Sequence, residues 1–80
     1  MKYAIVDSAK AEQAGINLKL HRVQGGKVIL NENELLMLGR KQGISNKDMA
    51  VSLGGDGLMS RSETREITNQ WEDIRKRQRR

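Results

Sequence analysis

A twelve-residue stretch, KVILNENELLML at Lys27–Leu38, limits what this chain can fold into more than any other. Seven of its twelve positions are Val, Ile, Leu or Met, in a sequence without Phe, so the core must form around it. The pattern predicts a buried strand over Val28–Leu30 that turns directly into a helix. Asn31 is placed to cap that helix, and Glu34 stands three residues on, the spacing of a capping box. Leu30 before the cap and Leu35 after it take the two staple positions, which set the angle between strand and helix. Leu35 or Leu36 supplies the helix's core contact.

The flanking segments supply partners for this unit. Lys2–Val6 reads as a short strand with Tyr3 and Ile5 on one face. Ser8 or Asp7 can cap an Ala-rich helix over Ala9–Ala14, which Gly15 stops. Gly25-Gly26 between two short apolar runs is a hairpin turn, pairing residues 18–23 with 27–30 as antiparallel strands. The central helix has two candidate stops, Gly39 and Gly43, of which the first is favoured, leaving Arg40-Lys41-Gln42 as an exposed basic loop.

Ser45 with Asp48 punctuates a third helix whose inner face is Met49, Ala50 and Leu53, with Gly54 as its C′ residue. Leu58-Met59 is long enough only for an edge pairing. Ser60 with Glu63 opens a last, long helix from about residue 60. Thr64, Ile67, Trp71 and Ile74 share one stripe of it, which docks that helix on its own domain with Trp71 in the core. The fold class is therefore α+β, a small, mostly antiparallel sheet of three or so short strands carrying three to four helices.

At 80 residues the chain makes one small domain, of a size that buries only about 60% of its unfolded surface. Without cysteine it has no disulfide, no thiolate zinc site and no thiol nucleophile, and a reducing cytoplasmic setting is the simplest expectation. No apolar run is long enough for a membrane span, so no membrane partner is expected.

The net charge of +5 has a single origin. Residues 75–80, RKRQRR, carry five of the fifteen Lys and Arg and no acid, so residues 1–74 hold ten bases against ten acids and balance to zero. The chain divides into a neutral domain, 1–74, and a basic C-terminal tail, 75–80.

That tail is the strongest functional feature. Arg75, Lys76, Arg77, Arg79 and Arg80 form an electrostatic footprint for nucleic acid or an acidic protein, with Arg61, Arg65, Arg40 and Lys41 as assistants. The bland alternative is a solvated terminus that complements a helix dipole. A second function class uses Ile67, Trp71 and Ile74 as a partner-binding or self-association surface, the oligomeric state staying open between monomer and homodimer.

Other motifs carry less. Asn46–Glu63 looks in part like a helix-turn-helix, but glycine and serine stand where its second helix needs apolar residues. Gly54-Gly55-Asp56-Gly57 leads to a helix start, yet lacks a P-loop lysine and holds an acid that repels anions. His21, the only histidine, has no second metal ligand at the right spacing and no triad partner, and reads as a plain strand residue. The expectation is a non-enzymatic binding domain with no cofactor and no metal. Non-specific nucleic-acid binding comes first and protein interaction second.

Overall fold

A computed structural model describes residues 1–78. Its elements are β1 (Tyr3–Asp7), α1 (Ser8–Gln13), β2 (Val23–Gln24), β3 (Lys27–Asn31), α2 (Glu32–Gln42), α3 (Asn46–Ser52) and α4 (Arg61–Gln78). The three strands form one antiparallel sheet in the order β1-β3-β2. The class is α+β, as the patterning predicts.

The central stretch does what its spacing requires. Val28 and Leu30 of β3 are fully buried and face the same side as Ala4 and Val6 of β1, their register partners Val6 and Ala4 lying directly across. Asn31 then ends the strand and caps α2. Its side chain accepts from the Glu34 backbone N–H at 2.9 Å, and Glu34 Oε1 accepts from the Asn31 backbone N–H at 3.1 Å. Leu35 comes out fully buried beside Leu30. Leu36, the other candidate for the core, is 43% exposed, because helical periodicity turns it and Met37 away from the sheet.

Helix α2 passes through Gly39 and stops at Gly43, so Arg40, Lys41 and Gln42 form its exposed last turn instead of a loop. Gly43 has φ +69°, and the Ile44 N–H reaches back to the Gly39 carbonyl at 3.0 Å, which is a Schellman closure. Gly39 serves a different purpose. A Cβ there would lie 2.7 Å from the Ile44 carbonyl oxygen, so its bare Cα lets the chain fold back closely over α2.

The predicted hairpin is present but shorter than residues 18–23 allow. Leu18–Leu20 winds into a 3₁₀ turn capped by Asn17, whose side chain accepts from the Lys19 N–H at 3.0 Å. Only Val23 and Gln24 pair with β3, against Val28 and Lys27. A local side-chain cap competes here with strand pairing, and it wins because Leu18 can still reach the core from the turn.

Helix α3 is capped by Ser45 onto the Asp48 N–H at 3.2 Å and buries Met49 and Ala50. Eight residues and a β-bridge between Tyr3 and Met59 separate α3 from α4, so no helix-turn-helix forms. The glycine-rich connection is a packing device. A Cβ on Gly55 would meet the Ile5 and Ala50 carbonyl oxygens at 2.7 and 2.9 Å, so only glycine lets the loop lie against β1.

The result has three layers. Helices α1, α2 and α3 share one face of the sheet and enclose the core of Ala4, Val6, Ala11, Val28, Leu30, Leu35, Leu38, Met49, Ala50 and Leu53. Helix α4 covers the opposite face, with Ile67 beside Ile5, and Thr64 and Thr68 across from Tyr3 and Ile29. This outer layer is thin. Along the α4 stripe Thr64 is buried, Ile67 and Trp71 are half-buried and Ile74 is 39% exposed, so Trp71 lies outside the core in which the stripe places it.

Candidate nucleic-acid interface

Helix α4 carries most of the basic residues in question, and its capping fixes their phase. Ser60 Oγ accepts from the Glu63 N–H at 3.2 Å, which starts the helix one residue before Arg61. From there Arg61, Arg65, Thr68, Glu72 and Arg75 follow one another at alternating spacings of four and three, and Lys76 sits beside Arg75. These positions form a single stripe along the helix. Glu63, Glu66 and Asp73 fall on another side, as does Arg77. The charges of α4 are thus sorted by face, although residues 1–74 sum to zero.

The one acid in the basic stripe is neutralised from outside. Arg22, in the segment leading to β2, donates from Nη1 to Glu72 Oε1 at 2.6 Å. That bond and the Arg22 charge hold the Glu72 carboxyl below its ordinary value. The same contact ties α4 to the sheet some fifty residues away in sequence. Neither Arg61 nor Arg65 enters an ion pair among the described residues.

Arg61 and Arg65 border an open groove of about 550 Å³ between α4 and the outer sheet face. Strands β1 and β3 contribute Tyr3 and Ile29, and the β3–α2 junction contributes Asn31 and Glu34. Leu20, at the end of the 3₁₀ turn, and the adjoining His21 and Arg22 complete this wall. Arg40 and Lys41 do not join them. They line a separate hollow with Ala14, Ile16 and Met37 in which α4 has no part. Of the tail residues, Arg75, Lys76 and Arg77 are exposed in the last turns of a helix that runs unbroken past Ile74, and Arg79 and Arg80 lie outside the described residues.

His21 departs from the plain strand residue the sequence suggests. It closes the 3₁₀ turn, with Nδ1 facing the Asn17 carbonyl at 2.9 Å and Nε2 bonded to Glu34 Oε2. Both partners are acceptors only, so both bonds form together only when the ring is doubly protonated. Burial alone pushes its pKa down, but the Asn17 and Glu34 bonds outweigh burial and the net shift is upward. Glu34 therefore serves twice, with one oxygen in the capping box and the other on the His21 ring. Residue spacing offers no sign of this pair, since thirteen residues and a hairpin separate the partners.

A group with a raised folded-state pKa contributes stability that is fully present below its unfolded value and is lost as pH rises through the folded one. The melting temperature of the protein should exceed that of His21→Gln most near about pH 6, and the gap should shrink by about pH 9. A gap constant over that range removes the imidazolium from the account.

Among the described residues no group of three or more His, Cys, Asp or Glu could hold a metal ion, and no helix is long and apolar enough to cross a membrane. Comparison with known protein families, characterised proteins and solved structures finds no match.

Proposed function

We propose that this chain is a non-enzymatic nucleic-acid-binding domain that grips phosphates along α4. The observation that carries this reading is the sorting of charge on that helix. Arg61, Arg65, Arg75 and Lys76 share one exposed stripe, the acid within it is paired with Arg22, and the remaining acids of the helix lie elsewhere. A stripe of cations on a rigid helix meets a phosphate backbone better than the same charges scattered over a neutral surface. Within the tail, Arg75 and Lys76 continue the stripe that Arg61 and Arg65 begin.

Binding should be non-specific, with a Kd of ~10⁻⁴–10⁻⁶ M at physiological salt. Each cation engaged on duplex DNA adds about 0.9 to the slope of log affinity against log salt. Fluorescence anisotropy across a salt series should show the slope of Arg61→Gln/Arg65→Gln falling by about 1.8. Removal of residues 75–80 should flatten the slope by as much as about 4.5 while hardly moving the melting temperature. Affinity and slope unchanged in both variants would discard the proposal.

A second reading rests on the exposure of Ile74 at 39% beside a half-buried Trp71. In it Ile67, Trp71 and Ile74 form the edge of a contact for a partner protein or a second copy of the chain.

A further inference from the structure

We infer that the groove between α4 and the sheet receives an unpaired base, so that the preferred ligand is single-stranded nucleic acid. This rests on the nucleic-acid reading and narrows it.

Four observations converge on the groove. It is an open groove of about 550 Å³, a volume in the range of small-ligand sites. The sheet presents Tyr3 and Ile29 there, a ring and an aliphatic surface of the kind on which bases stack. Both threonines of its helical wall turn their hydroxyl protons back to the helix, Thr64 to the Ser60 carbonyl and Thr68 to the Thr64 carbonyl, each at 2.9 Å. With those protons committed, the two hydroxyls can only accept further hydrogen bonds. Asn31, in the lining, uses its Oδ1 on the Glu34 N–H, which leaves its amide nitrogen available as a donor.

Charge supports the same assignment. Among the described residues the only acid lining the groove is Glu34, and its two oxygens are held by the Asn31 N–H and by His21. Arg61 and Arg65 border both this groove and the neighbouring hollow formed with Ser62, Glu66 and Asn69. They therefore stand at the lip, where the phosphates flanking an inserted base would lie. A duplex keeps its bases stacked and paired, and reaches only the stripe. A single strand can splay one base into the groove at no cost in pairing.

The test compares a single-stranded oligothymidylate, a duplex of equal length and thymidine monophosphate at one salt concentration. The single strand should bind at least about fivefold more tightly than the duplex, the lower end of a base-stacking contribution. Tyr3→Leu should abolish that preference and leave duplex binding unchanged. Because Tyr3 is half-buried, a second measurement accompanies the variant, the amide chemical shifts of Tyr3, Ile29 and Asn31 in the unaltered protein. These should move with the single strand and stay still with the duplex.

Equal affinity for the two polymers, with those amides unmoved, overturns the groove assignment and leaves phosphate binding by the stripe intact. Monophosphate binding as tight as the strand also overturns it, making the groove a site for free nucleotide. No binding of any of the three removes the assignment together with the reading beneath it.

Discussion

Leu35→Ala should lower the unfolding free energy by about 2–5 kcal/mol, and Leu36→Ala by no more than about 0.5 kcal/mol, although the two are neighbours in the same apolar run. Leu35 is fully buried one turn into α2, in the cluster that contains Leu30, Val28 and Met49. Truncating it opens a cavity where the β3–α2 corner meets α3, in a domain too small to relax around it cheaply. Leu36 is 43% exposed and loses little contact on truncation. Urea melts of the two variants should therefore separate widely in midpoint at similar slope. Equal midpoints would mean that the capping box at Asn31 does not set the rotation of α2 over the sheet.

That corner was legible in the sequence because its signals are local. The N-cap, the acid three residues later and the staple leucines lie within six positions, and each constrains the same change of chain direction. The caps at Ser45 and Ser60 were legible for the same reason, as was an edge pairing at Met59. Two other segments were obscured because a second local signal competes with the more obvious one. Gly39 looks like a helix stop because glycine is a poor helix former, yet its lack of a side chain is used by Ile44 in the fold-back. Leu18 and Leu20 look like alternate residues of a strand, and Asn17 diverts them into a 3₁₀ turn.

The candidate site was visible only in its charges. The cluster Arg75–Arg77 could be read directly, but its alignment with Arg61 and Arg65 depends on where α4 starts and on its remaining unbroken past Ile74. The pairing of Glu72 with Arg22 bridges fifty residues, and that of Glu34 with His21 bridges thirteen. Neither has a spacing rule, and without them the stripe and the groove would each be interrupted by a free acid. A balance of zero over residues 1–74 hides the arrangement, since net charge records nothing about which face a side chain occupies.

Trp71→Ala should cost roughly 1.5–2.5 kcal/mol, about half of what truncating a fully buried large aromatic costs. Trp71 lies on the outer layer, half-buried like Ile67, with Ile74 at 39% exposure further along the stripe. It is therefore too covered to be a free contact surface and too open to count with the ten residues of the core. The Arg22–Glu72 ion pair also ties α4 to the sheet, but an exposed pair of that kind holds it only weakly. Trp71 stands one turn before Arg75 and Lys76, so what its partial burial contributes bears on the half of α4 that carries them. Denaturant melts of Trp71→Ala should show the loss in stability, and the salt slope of DNA binding should fall along with it. If the monomer instead tolerates the change within about 0.5 kcal/mol while self-association or a partner complex weakens by about 2 kcal/mol or more, Trp71 is serving as an interfacial hot spot. The reading built on Ile67, Trp71 and Ile74 would then displace the nucleic-acid one, because an anchor that its own domain does not need can be kept only for something outside it.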